Sequence, residues 1–215
     1  MILVSSLVFF SFSSFAQCRA RYIALEDTIL LIQTKTNDDY GNGSLNNTYF
    51  DDDLGTIFIK ITPGLLVKVS DLRYMSFVVV VNVSGITAYK PFVTSRVDVE
   101  FTDHTGFILK TDTLLISSTS DTFRVYSRSI KGYFKMHAFY LSSLYFTYLI
   151  RKPLYRISLL DDVSNKEINI FPDRSEIMKP ATCILDFVPK EAEEERYNKV
   201  LDSLLYTKKY GNMGK

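Results

Sequence analysis

Apolar and polar positions alternate with a period of two through most of this chain. Val93, Val97, Val99 and Phe101 share one parity with Ser95, while Thr94, Arg96, Asp98 and Glu100 take the other. That is a strand with one buried and one wet face. Asp103-His104-Thr105-Gly106 then supplies a turn, and Phe107-Ile108-Leu109-Lys110 starts a return strand, so the segment reads as a hairpin. Ile57, Ile59 and Ile61 alternate in the same way with Phe58, Lys60 and Thr62. Pro63-Gly64 after them reads as a turn, as do Ser84-Gly85 and the stretch from Ser118 to Asp121. A further hairpin is expected through Asp161 to Lys166. Thr28 to Thr36 reads as a strand, and Phe77 to Val81, apolar on both faces, as a central buried one.

The period changes in three places. Met136 to Ile150 fits either a buried strand pair or a short core helix, and Pro153 ends it in both cases. Asp173 to Phe187 holds one or two helical turns that Pro180 is expected to interrupt. Ala192, Arg196, Tyr197, Val200, Leu201, Leu204 and Leu205 recur at three- and four-residue spacing, with acids at the start and lysines at the end. This predicts a helix over 190–209, favourably oriented for its dipole. It would pack on the sheet or dock a partner. The fold class is therefore mainly β: an antiparallel β-sandwich or barrel-like sheet of about eight to ten strands with a C-terminal α-helix.

The first residues stand apart. Ile2 to Phe12 is apolar, broken only by serine, and Ser14-Phe15-Ala16 places small residues in the first and third positions. This is the pattern of a secretory signal cut between Ala16 and Gln17. A spanning helix needs about 20 apolar residues to cross a core ~30 Å thick, and this run is shorter and rich in serine. A retained anchor, a strand of the fold and a lipid-modified Cys18 are the competing readings. Gln17, where a lipoprotein signal carries a small residue, fits the last one poorly. The division expected is a secretory signal peptide at 1–16, an all-β domain at 17–189, and a C-terminal amphipathic helix and tail at 190–215. The mature chain is expected to be exported to the periplasm, cell surface or extracellular space without an integral membrane segment.

Composition sharpens this in two respects. With 47% hydrophobic and 23% charged residues the chain has an ordinary globular balance. Its net charge of +1 gives no global field that would favour nucleic acid. Cys18 and Cys183 are the only cysteines. In an exported chain an even count points to a disulfide, with two free thiols as the alternative.

Candidate chemistry is sparse. No nucleotide, zinc, thiol-redox or serine-hydrolase motif is present, and no cofactor is implied. His104, in a turn, and His137, in an apolar stretch, are the two histidines. The loop from Asn37 to Asp53 gathers Asp38, Asp39, Asp51, Asp52 and Asp53, hard oxygen ligands suited to calcium, though without EF-hand spacing. Asn42, Asn46 and Asn82 each open a glycosylation sequon. From Asp121 to Leu160 seven basic residues face one acid, with aromatics interleaved. Arg124, Tyr126, Arg128 and Tyr133 are the candidate ligand-binding residues there, because cations beside aromatic platforms hold polyanions or glycans.

Three functions fit. The first is a non-enzymatic exported protein acting by binding or assembly, with an envelope protein or glycan as partner. The second is a glycan- or polyanion-binding module built on 121–160. The third is a hydrolase that carries no recognisable motif.

Overall fold

The computed structural model describes residues 18, 20–26, 28–34, 45–52, 54–86, 91–110, 114–125, 128–172, 177–189 and 194–210. Within these, the side chains of 26, 45–47, 51, 114–125, 128–131, 194 and 207–210 lie outside the description.

Eleven strands fall into two antiparallel sheets. The large sheet holds β1 (Ala20–Glu26), β2 (Ile29–Thr34), β3 (Leu45–Asp51), β4 (Gly55–Lys68), β5 (Met75–Ile86), β8 (Leu114–Val125) and β9 (Arg128–Leu141). Its order is β1-β2-β4-β5-β9-β8, with β3 paired to β4 beside β2. The small sheet has the order β11-β10-β6-β7, from β6 (Arg96–Phe101), β7 (Gly106–Lys110), β10 (Leu154–Leu160) and β11 (Glu167–Ile170). Among the described residues the α-helices are α1 (Ser143–Arg151), α2 (Met178–Ile184) and α3 (Glu194–Tyr210). The architecture is a sandwich rather than a closed barrel. The stretch expected to be all-β also carries α1 and α2.

The alternation in sequence explains the main core. Ile57, Ile59, Ile61, Leu65 and Val67 of β4, Val79, Val81 and Val83 of β5, and Phe139 and Leu141 of β9 are buried against Val97, Val99, Phe101, Phe107 and Leu109 of the small sheet. Each such side chain contributes about 1.5–3 kcal/mol when fully withdrawn from water. The opposite parity of the large sheet forms a second apolar cluster of Leu31, Leu66, Val78, Val80, Met136 and Ala138. That is why Phe77 to Val81 reads as apolar on both faces: β5 is the central strand, paired with β4 and β9 along its length.

Several expected turns are not turns. Pro63 and Gly64 sit inside β4, which runs on to Lys68. One flank of β4 is paired with β3 through Ile61 and with β2 from Gly64 onward. Pro63 falls in the gap between the two, a position where the missing N–H of proline is tolerated. Ser84 and Gly85 likewise lie inside β5. Gly85 is required there for space, not for a turn: a Cβ on it would meet the Tyr133 ring at 2.6–2.7 Å. Ser118 to Asp121 is a register shift between β8 and β9, one extra residue on β8. The hairpins through Asp103 to Gly106 and Asp161 to Lys166 form as the alternation implies.

The ambiguous 136–150 segment is the end of one strand followed by a helix, not a strand pair. β9 ends at Leu141, Ser142 caps α1 by accepting the Tyr145 N–H, and α1 follows. Phe146 stacks on Phe77 of the large sheet at 3.8 Å and Tyr145 on Phe107 of the small sheet at 4.4 Å. α1 therefore joins the two sheets at one end. Pro180 does not interrupt α2. It occupies the first turn, where the missing N–H is one of the groups without an intrahelical partner.

Cys18 and Cys183 are disulfide-bonded, with 5.6 Å between their Cα atoms and 165 residues between them in sequence. The bond ties the residue before β1 to α2. In the loop-entropy account, closing so long a loop stabilises by up to ~5 kcal/mol. α3 packs on β1 through Tyr197 and Leu201, both buried, with Tyr197 in edge contact with Tyr22. Its apolar stripe is thus used within the fold. No helix among the described residues is long and apolar enough to cross a membrane.

Candidate functional site

The outward parity of the small sheet is laid out by its register. One row crosses the sheet as Ile108, Asp98, Ser158 and Asn169, and the next as Lys110, Arg96, Leu160 and Glu167. A third row begins with Gly106, Glu100 and Arg156. Most of these side chains are polar because the opposite parity, Val97, Val99, Phe101, Ile157, Leu159, Ile168 and Ile170, carries the core.

Four of the charges on this face form two ion pairs. Arg96 donates to both carboxylate oxygens of Asp98, at 2.7 and 2.5 Å. Arg156 lies 3.0 Å from Glu100 and also donates to the Asn169 amide oxygen at 3.4 Å. The Ser158 hydroxyl donates to the same oxygen at 2.6 Å. Arg96, Asp98, Ser158, Leu160 and Glu167 line a small cavity of about 100 Å3.

Three exposed rings border the Glu100–Arg156 row. His104 holds a left-handed backbone at φ 61° in the β6–β7 turn, and its Nδ1 lies 3.5 Å from the Glu100 carboxylate. Its ring is edge-on to Tyr155 at 6.4 Å, and Tyr155 is edge-on to Phe171 at 5.9 Å. Tyr155 sits where β10 shifts register against β6, so the bulge turns it outward. Tyr155 is 47% and Phe171 64% exposed. The turn below them is fixed. Lys152, at the end of α1, donates to Asp103 at 2.7 Å and to Thr105 at 2.8 Å. The Lys152 ammonium and the Thr105 donors hold the Asp103 carboxyl well below the usual carboxylate range.

A second polar cluster is buried. Asp161, 0% exposed, accepts from the backbone N–H of Val93 and Ser164 at 2.9 Å and from the Ser164 hydroxyl at 2.5 Å. It ties the β10–β11 turn to the chain entering β6. Tyr133 of β9 is 1% exposed, and its phenol oxygen accepts the Phe92 N–H at 3.0 Å. Burial raises its pKa. Lys135 and His137 follow on the same face of β9. Burial lowers the pKa of both; Asp161 partly offsets this at Lys135, while at His137 Lys135 adds to it and Asp162 opposes it.

The residues singled out from sequence are scattered by the fold. Tyr133 is not a platform for a ligand: it is in the core, where its ring fills the space above Gly85. Arg124 is next to last in β8 and Arg128 opens β9, with side chains outside the described set, and Tyr126 lies outside it altogether. Asp38, Asp39 and Asp53 also lie outside the described residues, as does the side chain of Asp51, and Asp52 is exposed. Among the described residues no cluster of three or more His, Cys, Asp or Glu could hold a metal. Asn82 is half-buried in mid-β5, with its side-chain oxygen enclosed. Of the two histidines, His104 meets a carboxylate and His137 has a buried Nε2 that bonds nothing among the described residues.

Arg96, Asp98, Glu100, Asn169 and Phe171 were outside the 121–160 window that charge counting selects. The signal for the first three was the parity of β6, which puts a basic and two acidic residues on one face. No protein-family model, curated protein or solved structure matches this chain.

Proposed function

We propose that this is an exported, non-enzymatic protein of the cell envelope or extracellular space that works by binding, with the outer face of the small sheet as its contact surface. The observation that carries the reading is the row of exposed rings beside an ordered, charge-paired lattice on a rigid sheet. Large exposed aromatics grouped on one face mark contact sites more often than solvated surface. The apolar opening with its Ser14-Phe15-Ala16 motif and the Cys18–Cys183 bond support export.

The test has two parts. Cell fractionation with sequencing of the mature N-terminus is expected to place the chain outside the cytosol, beginning at Gln17. A cytosolic chain that retains Met1 overturns export. Purified protein is then sedimented with isolated cell envelopes. Wild type is expected to co-sediment, and a variant with Tyr155→Ala, Phe171→Ala and Arg156→Ala to remain in the supernatant. Equal sedimentation of the two overturns the contact surface.

A further inference from the structure

The outer face of the small sheet is specific enough to name a ligand class. This rests on the reading that the face is a contact surface, and adds what it contacts. We propose that it binds a neutral polysaccharide chain, whose sugar rings stack on His104, Tyr155 and Phe171 while their hydroxyls bond Glu100, Arg156 and Asn169.

The charge arrangement selects against a polyanion. Across the three rows Lys110, Arg96 and Arg156 balance Asp98, Glu100 and Glu167, so the face carries no net charge. Arg96 and Arg156 are already engaged by Asp98 and Glu100. A phosphate or sulfate would have to displace a carboxylate from a charge-assisted bond and would then lie beside the displaced anion.

The same arrangement suits hydroxyls. A sugar hydroxyl both donates and accepts, so it can donate to a carboxylate oxygen and accept from a neighbouring guanidinium or amide N–H while the ion pair stays intact. Glu100 and Arg156 present such a pair at 3.0 Å. The oxygen of the exposed Asn169 is taken by Ser158 and Arg156, which fixes the amide. Pre-set donors and acceptors lose little freedom on binding.

The rings supply the apolar half of the contact. The rings stand edge to face, with centroids 6.4 and 5.9 Å apart and planes inclined by 69° and 75°, so they form an angled platform on which one ring at a time meets a sugar face. The axial C–H bonds of a pyranose carry partial positive charge and rest on the negative faces of aromatic rings. Tyr155 and Phe171 are fixed by each other and by the bulge in β10, so the platform exists before the ligand arrives.

Affinity electrophoresis tests this. The full mature chain is run in native gels cast with a mixed-linkage β-glucan, a xylan or a galactomannan, and in one cast with heparin. Retardation is expected in at least one neutral gel, persisting at high salt. Tyr155→Ala and Phe171→Ala are each expected to weaken it about tenfold, equivalent to about 1.4 kcal/mol. Both side chains are exposed, so melting temperatures should not change. Asn169→Ala, also at the surface, provides a second variant that touches hydroxyls only.

No retardation in any neutral gel overturns the proposal. So does retardation that the ring variants leave intact. Retardation by heparin alone, abolished by salt, makes the face a polyanion surface instead. If envelope sedimentation still depends on Tyr155, Phe171 and Arg156 while the neutral gels fail, the contact surface stands and the sugar ligand falls.

Discussion

Asp161 and Asp98 are built into the same half of the molecule and make the same kinds of bond, yet they serve opposite ends. Asp161 is wholly enclosed, and its two oxygens take two backbone N–H groups and one hydroxyl. Asp98 stands at the surface, facing a single arginine across an open row. Taking the first away leaves amide groups without water or partner. Taking the second away lets water in. The buried cluster around Asp161, Tyr133 and His137 therefore belongs to the fold, and the exposed lattice around Asp98, Glu100 and Arg156 can be spent on a ligand. Residue type alone does not separate the two.

The comparison breaks most visibly at Asp161. Asp161→Ala should cost about 3 kcal/mol, since the Val93 and Ser164 N–H groups lose their acceptor in a dry site. Chemical denaturation reads this directly, and a loss below 1 kcal/mol would mean that water replaces the carboxylate. Tyr133→Phe tests the next bond along. The ring still fills the space over Gly85, so only the acceptor for the Phe92 N–H disappears, and about 1 kcal/mol should go with it. An unchanged midpoint would show that Phe92 finds another partner.

His137 adds a pH dependence to the buried cluster. Burial lowers its folded-state pKa, Lys135 adds to that, and Asp162 opposes it. The unfolded chain therefore takes up a proton near pH 6.5 while the folded chain still resists. Stability present above that pH is lost as pH falls from about 6.5 toward the lowered folded value. Melting temperatures measured between neutral and mildly acidic pH should fall, and His137→Leu should flatten the fall. A slope identical in the variant would assign it to other groups.

Much of this fold was legible in the sequence, for a definite reason. Strands whose faces differ, such as β6, print their parity in the sequence, and the two hairpins with polar turns follow from it. The errors cluster where a residue with two structural uses was read for the commoner one. Pro63-Gly64 and Ser84-Gly85 look like punctuation, but Pro63 sits beside a gap between flanking strands and Gly85 yields its volume to Tyr133. Both reasons are non-local, set by strands more than ten residues away. The site was less legible still. Counting charge between 121 and 160 selected Tyr133, which is core, and passed over Glu100 and Asn169, which reach Arg156 only once β6 and β11 flank β10. A window along the chain cannot see a face assembled across four strands.

The sharpest form of the comparison is its smallest effect. Arg96 and Asp98 form the best-aligned ion pair on the outer face, with two parallel bonds. Both side chains are about one-third or more exposed, at 40% and 34%. Their attraction is screened by solvent, and each has water as a ready alternative partner. Arg96→Ala, Asp98→Ala and the double variant should therefore all melt with wild type, and the coupling between the two sites should vanish within error. Removing Arg96 alone nonetheless leaves the face with a net negative charge, while removing both restores neutrality. If the lattice serves to hold a neutral chain, retardation in polysaccharide gels, measured relative to each variant's mobility in a plain gel, should be the same for the Arg96→Ala and double variants, since a neutral ligand does not respond to the net charge of the face. A stability loss in either single variant would instead place this pair with Asp161 among the parts that hold the fold together.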